Sequence, residues 1–233
     1  MRLFVFLAAA AALSACASPY VATPYESDLH PVRTIGLIED VGEADVIAYE
    51  VASAGANFGL IGALVDAGVQ NSRRARVEET LEYEGFDAQE YFREQLVLEL
   101  EARGYEVSVV RVGGRDGLQL LDRFDGLDAE VDAHLDAVLQ TYGLLSSGAG
   151  TPFRPHAQAE AQLIYGDQRE IAMRNSVIFT PFGEPAGRIL LSPPLDETYR
   201  NREEILEDPV RLVESIQLAI RESAAALAAQ LDS

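Results

Sequence analysis

At 233 residues the chain is long enough for one domain with a full hydrophobic core, or at most two small ones. Its formal charge is -20 at pH 7 and all 18 basic residues are arginine, which opposes the phosphate backbones that nucleic-acid binders neutralise with basic surfaces. Nucleic acid is therefore not an expected partner, and the same acidity repels anionic lipid headgroups, so membrane residence cannot rest on a basic amphipathic face.

The amino terminus has a pattern of its own. Arg2 precedes an apolar core from Leu3 to Leu13 and small residues follow, the arrangement of a secretory signal peptide over residues 1–15. A hydrocarbon layer needs about 20 apolar residues of helix, and Ser14, Pro19 and Pro24 interrupt this run well before that length. Leu13, Ser14, Ala15 and Cys16 resemble the lipobox of bacterial lipoproteins, in which a leucine, a small or polar residue and a small residue precede the acceptor cysteine. The resemblance implies diacylglycerol on the Cys16 sulfur, cleavage between Ala15 and Cys16, and acylation of the new amine. Several acyl chains on one residue hold far better than one, because each buried methylene contributes about 0.8 kcal/mol. Ala17 stands where an aspartate would imply inner-membrane retention, so the resemblance implies the outer membrane. Cys16 is the only cysteine, and once acylated it leaves no thiol for a disulfide, a redox pair or a metal site. The alternative is an ordinary secreted protein with an incidental cysteine.

Residues 16–31 then combine the lipidated cysteine with a stretch of Ser, Thr, Tyr and three prolines that lacks helical periodicity, which suggests an extended tether. At about 3.1 Å per residue, such a tether would hold the domain about 40 Å from the bilayer. Residues 32–233 are expected to form a single α/β domain. Val32 to Ile38 and Val46 to Val51 are short β-rich runs. Gly55 to Val69 is apolar, with Leu60, Ile61, Leu64, Val65 and Val69 at helical spacing, and the helix is expected to continue toward Tyr83. Gly85-Phe86-Asp87 breaks it. Asp87 and Glu90 have capping-box spacing, Phe92, Leu96 and Leu100 recur every fourth residue, and Gly104 stands where a C-terminal cap belongs.

Tyr105 to Val112 reads as a buried strand, Leu127 to Leu135 as a short helix, and Ala137 to Leu144 as a further strand. After a turn at Ser146 to Gly150, alternating Ala157, Ala159, Ala161 and Leu163 give one strand, with Ile171 to Phe179 as its hairpin partner across Gly166-Asp167. A proline-rich loop from Pro181 to Pro194 leads to a closing helix with Val210, Val213, Ile216, Ile220, Ala224 and Leu227 as its stripe. The expected fold class is α/β in the α+β sense, a single mixed sheet of about four to five strands packed by helices. Tyr105-Glu106-Val107 after a capped helix and Asp136-Ala137-Val138-Leu139 opening a strand, in this element order, resemble the TolB amino-terminal domain of the cell envelope. The CsgG-like secretion lipoproteins and a lipoprotein activator of penicillin-binding proteins have the same general shape. Fold likeness implies an envelope setting and does not transfer an activity.

Candidate sites are few. His30, His134 and His156 share no ligand spacing, and Glu39, Asp40, Glu43 and Asp45 lack the glycine and spacing of a calcium loop, so no metal or other cofactor is expected. The cluster Asp122, Asp125, Asp128, Glu130, Asp132 and Asp136 also fails that spacing. Gly113, Gly114 and Gly117 make no dinucleotide fingerprint, and Ser146-Ser147-Gly148 lacks the glycine before a nucleophile elbow. Ala52, Gly55, Gly59, Gly62 and Ala63 give a small-residue face that allows close backbone approach, either as a core helix against the sheet or as a self-association or partner surface.

The resulting expectation is an outer-membrane lipoprotein facing the periplasm, with a non-catalytic α/β module that recruits or regulates another envelope component or a second copy. One alternative is an oligomeric secretion or transport accessory or channel lipoprotein, which needs lipid-facing strands of about 9 to 11 alternating residues. Ala157 to Phe179 is the one hairpin of that kind, and Arg169, Glu170 and Arg174 argue against lipid on both sides. The second alternative is an envelope hydrolase with an unrecognised site.

Overall fold

The computed structural model describes residues 20–51, 59–113, 115–127, 130–148, 150–181 and 187–232, with residues 59–70 and Arg202 described by backbone alone. The expected signal peptide over residues 1–15 and Cys16 lie outside the described residues. Seven strands, β1 (Thr34–Ile38), β2 (Asp45–Glu50), β3 (Glu106–Val110), β4 (Ala133–Ser146), β5 (Arg154–Tyr165), β6 (Glu170–Phe179) and β7 (Ile189–Leu191), form one mixed sheet in the order β3-β1-β4-β5-β6-β7. The expected count of four to five was too low. One reason is that β1 and β2 share a single partner: β1 pairs with Ala133 to Leu135 and β2 with Thr141 to Ser146, both parallel, so the two short strands lie end to end along β4. The other is β7, three residues long inside the expected loop from Pro181 to Pro194, paired with Val177 to Phe179.

Among the described residues four α-helices, α1 (Gly59–Tyr83), α2 (Ala88–Ala102), the unexpected α3 (Arg202–Glu207) and α4 (Pro209–Ala228), accompany the sheet. The Asp87 carboxylate accepts the Glu90 amide at 2.9 Å and starts α2, satisfying an N–H that has no helical partner. The capping box is only half formed, because the Glu90 side chain turns to Arg93 instead. Gly104, at φ 90°, carries the chain out of α2 toward β3 through the left-handed region that glycine enters without penalty. Asp208 caps α4 in the same way and Pro209 occupies its first turn, where no amide proton is needed. The α4 stripe begins at Leu212 rather than Val210, which is exposed, and continues through Ile216, Ile220, Ala224 and Leu227.

These side chains pack on Ala157, Ala159, Ala161 and Leu163 of β5, all fully buried. Small residues on that face let α4 approach closely, while Phe92, Leu96 and Leu100 of α2 and Val77 and Leu81 of α1 extend the same core. Each fully buried leucine or isoleucine contributes about 1.5–3 kcal/mol relative to exposure. Among the described residues no helix covers the opposite face. Its covering is the connection between β3 and β4, where Leu121 and Leu127 close over Ile38 and Ile164, with Val110, Val112 and Phe124 alongside.

Three further expectations need correction. β3 is an edge strand, not a buried one: it pairs with β1 alone, and Val109 is 48% exposed. No helix forms over the described residues from Leu127 to Leu135; Ala133, His134 and Leu135 are the first residues of β4, paired on both sides. Leu127, Val131 and Leu135 are four apart and imitate a helical stripe, but the Asp132 carboxylate accepts the Arg33 and Thr34 amides at 2.8 and 2.9 Å and draws the segment alongside β1. Those two bonds hold Asp132 below the usual carboxylate range. The second half of the expected tether belongs to the domain. Thr23 exchanges both backbone bonds with Arg174 on β6, and Tyr25 is buried with its hydroxyl donating to the His30 carbonyl at 2.5 Å.

Candidate functional site

The helix-free face of the sheet concentrates polar side chains, because the alternation that points alanines at α4 points Gln158, Glu160 and Gln162 of β5 the other way. Their neighbours on this face are Asp136 and Gln140 of β4 and Arg174 of β6. The Gln158 amide donates to the Gln140 oxygen at 2.5 Å, the Gln140 amide donates to Glu160 at 3.3 Å, and the Arg174 guanidinium donates to Glu160 at 2.9 Å. The result is a continuous polar chain across three strands.

A second polar network on this face is buried under the β3–β4 connection. Asp136, fully buried, accepts from Arg115 at 2.6 Å, from the Leu121 amide at 2.6 Å and from the Gln162 side chain at 3.0 Å. Arg115, 3% exposed, also donates to the carbonyls of Gln119 and Asp40, at 2.8 and 2.5 Å. Gln162 returns a bond to the Leu121 carbonyl at 2.8 Å. A buried charge needs this degree of satisfaction to be tolerated, and the network clamps residues 115 to 121 onto the sheet. Beside the clamp opens a groove of about 470 Å³ between Leu118, Leu121 and Phe124 on the loop and Gln140, Glu160 and Arg174 on the strands.

Tyr20 stands near its outer end, with the Arg188 guanidinium 5.1 Å from the ring centre. Burial, followed by the nearby Glu160 carboxylate, pushes its phenol up to about 12. None of the groove's lining residues is a serine, threonine, cysteine, lysine or histidine. The chemistry on offer is hydrogen bonding to a polar ligand or chain, by amides, the Asp122 and Glu160 carboxylates and a half-exposed guanidinium.

The residues singled out from the sequence are scattered. Ala52 and Gly55 lie outside the described residues, and Gly59, Gly62 and Ala63 fall in the first turns of α1, whose later part packs on β2. Glu39 pairs with Arg111 at 2.5 Å, and Asp40 accepts the Gly42 amide while facing Arg115, so both acids hold the turn after β1. Ser146 donates into the turn at Gly148 and Thr151. The histidines sit apart: His30 meets the Tyr165 ring edge-on at 5.0 Å, His134 is buried beneath Gly36, and His156 lies 3.1 Å from the Thr141 hydroxyl. Among the described residues no group of three or more His, Cys, Asp or Glu converges on a common point.

Arg115, Gln140, Gln158 and Gln162 carry no motif in the sequence, and Arg174 enters there only as a charge that argues against lipid. The available signal is the polar side of β5, Gln-x-Glu-x-Gln interleaved with alanines, together with Asp136 directly before the apolar Ala137-Val138-Leu139. No protein-family model matches this chain, and no curated protein is significantly similar to it.

His156 gives the domain a pH dependence. Burial lowers its imidazole to about 4, against an unfolded value near 6.5, so below about pH 6.5 the unfolded chain takes up a proton that the folded chain refuses. Stability therefore falls as pH drops through that window, by about 2 kcal/mol at pH 5 from this group alone. Urea unfolding at pH 7.5 and pH 5 measures the loss, and His156→Gln should remove most of it. Equal losses in both proteins would contradict the assignment.

Proposed function

We propose that the chain is an outer-membrane lipoprotein whose α/β domain faces the periplasm as a non-catalytic module that recruits or regulates another envelope component. The observation that carries the proposal is the signal-peptide pattern ending at Leu13-Ser14-Ala15-Cys16. Two features support it. Among the described residues no helix is long and apolar enough to cross a membrane. Cys16 also precedes Tyr20, whose ring meets the Arg188 guanidinium, by only four residues. An acyl anchor there would keep the β6 side of the sheet, with its polar groove, within about 15 Å of the headgroups.

The groove's amides, carboxylates and guanidinium suit hydrogen bonding to a polar partner. The channel alternative is disfavoured by the one hairpin it would use. Ala157, Ala159, Ala161 and Leu163 lie under α4, while Gln158, Glu160 and Gln162 carry the polar chain on the other face, so neither side is free for lipid.

Metabolic labelling with a palmitate analogue tests the anchor. The wild-type chain should be labelled and sediment with outer membranes; Cys16→Ser should lose the label entirely and release the domain to the soluble fraction. Label retained in Cys16→Ser would overturn the proposal.

A further inference from the structure

We infer that the outer edge of β3, with the groove between it and α2, binds an extended basic segment of a partner protein as an added strand. This deepens the binding-module reading and rests on it for the partner's setting, though not for the binding itself.

The backbone geometry comes first. Glu106 donates its amide to the Arg33 carbonyl, and Val110 accepts from the Glu39 amide, both at 2.9 Å, on the β1 side. Backbone groups alternate along a strand, so those of Val107 and Val109 point away from β1, toward an edge that no described strand occupies. Such an edge is normally blunted by a lysine, a proline, a bulge or a cover. Glu-Val-Ser-Val-Val has none of the three sequence devices, and β1 pairs with it residue for residue. At the opposite end of the sheet, β6 is covered by β7 and by Thr23.

Beside the open edge lies a groove of about 530 Å³ whose apolar floor is Val97, Leu98 and Val109. Leu98 is 57% exposed and Val109 48%. An extended segment paired with β3 would direct alternate side chains into this groove. Charge selects among occupants. Arg93 is matched by Glu90 and Arg111 by Glu39, and among the described residues Glu94 in the groove and Glu106 at the start of the strand have no ion-pair partner. A second copy would bring the same acidic excess and a chain charge of -20, whereas an extended segment with apolar residues alternating between basic ends complements both edge and rim.

The test uses the full-length protein in detergent and a short synthetic peptide of alternating valine and threonine with two arginines at each end. The peptide should bind saturably, slow hydrogen exchange at the Val107 and Val109 amides, and lose at least tenfold in affinity with Val109→Lys. A peptide N-methylated at alternate residues should also bind at least tenfold more weakly, and this comparison leaves the protein unaltered. Absence of binding, or equal binding by the N-methylated peptide, would overturn the inference. So would protection of the same amides by concentration-dependent dimerisation without peptide, which would assign the edge to a second copy. Because binding is measured in detergent, its failure is separate from failure of the acyl anchor, which palmitate labelling reports.

Discussion

Replacing Gly143 by alanine should destabilise the domain by more than about 4 kcal/mol, and valine at that position should leave little folded protein. Two independent effects act at this position. Its φ is 135°, in the half of backbone space that side-chain-bearing residues rarely enter. A Cβ there would also lie 2.0 Å from the Ile47 carbonyl oxygen and 3.0 Å from its carbon. Those obstructing atoms are main chain, and Ile47 is the residue of β2 paired directly with Gly143, so relief requires β2 to move off β4. The position follows the irregularity between Leu139 and Thr141, where β4 shifts register against β5 as it leaves the line of β1 for that of β2. Gly126→Ala is the control. Its φ is 82°, yet a Cβ would meet nothing within 4 Å, so only the backbone cost of about 1–2 kcal/mol applies. Urea unfolding of the three proteins separates the cases, and a Gly143→Ala midpoint close to that of Gly126→Ala would contradict the close approach of β2.

What the sequence reveals about this fold follows the range over which each determinant acts. The α2 cap at Asp87, the 3.6-residue stripe of α4 and the alanine alternation of β5 are local patterns, and each element forms where its pattern predicts. β4 is different: its first residues imitate a helix, and they become a strand because β1 and β5 pair on both sides and Asp132 bonds to the start of β1 nearly a hundred positions away. The edge position of β3 is equally invisible locally, since a β-branched run has the same composition in the middle of a sheet as at its end. The polar groove was legible only as unexplained chemistry. Asp136 in an apolar strand signals a buried carboxylate that needs a partner, but nothing in the chain identifies Arg115, on a loop between glycines, as the residue that reaches it.

That ion pair sets the second large effect. Arg115→Met should destabilise the domain by about 3–5 kcal/mol, because removing one member of a buried pair strands the other. Asp136 would keep the Leu121 amide and the Gln162 side chain as donors, but would lose the one cation that reaches it among the described residues. Adding Asp136→Asn to Arg115→Met should recover part of the loss, since an amide oxygen can still accept from Leu121 without a charge to satisfy. The same cycle separates stability from the structure of the groove. Arg115 also holds the Gln119 and Asp40 carbonyls, so in both Arg115 variants the loop wall from Leu118 to Asp122 should open more often than in the wild type. Arg123, exposed on that loop, should then become an early site of limited trypsin cleavage, whereas wild-type protein resists cutting there. If unfolding midpoints recover in the double variant while cleavage at Arg123 persists, the arginine's bonds to the loop shape the groove independently of its charge partner. A negligible coupling energy together with wild-type proteolysis would show that the loop is held by Leu121 and Leu127 over Ile38 and Ile164 alone, and the clamp assigned to Arg115 would be wrong.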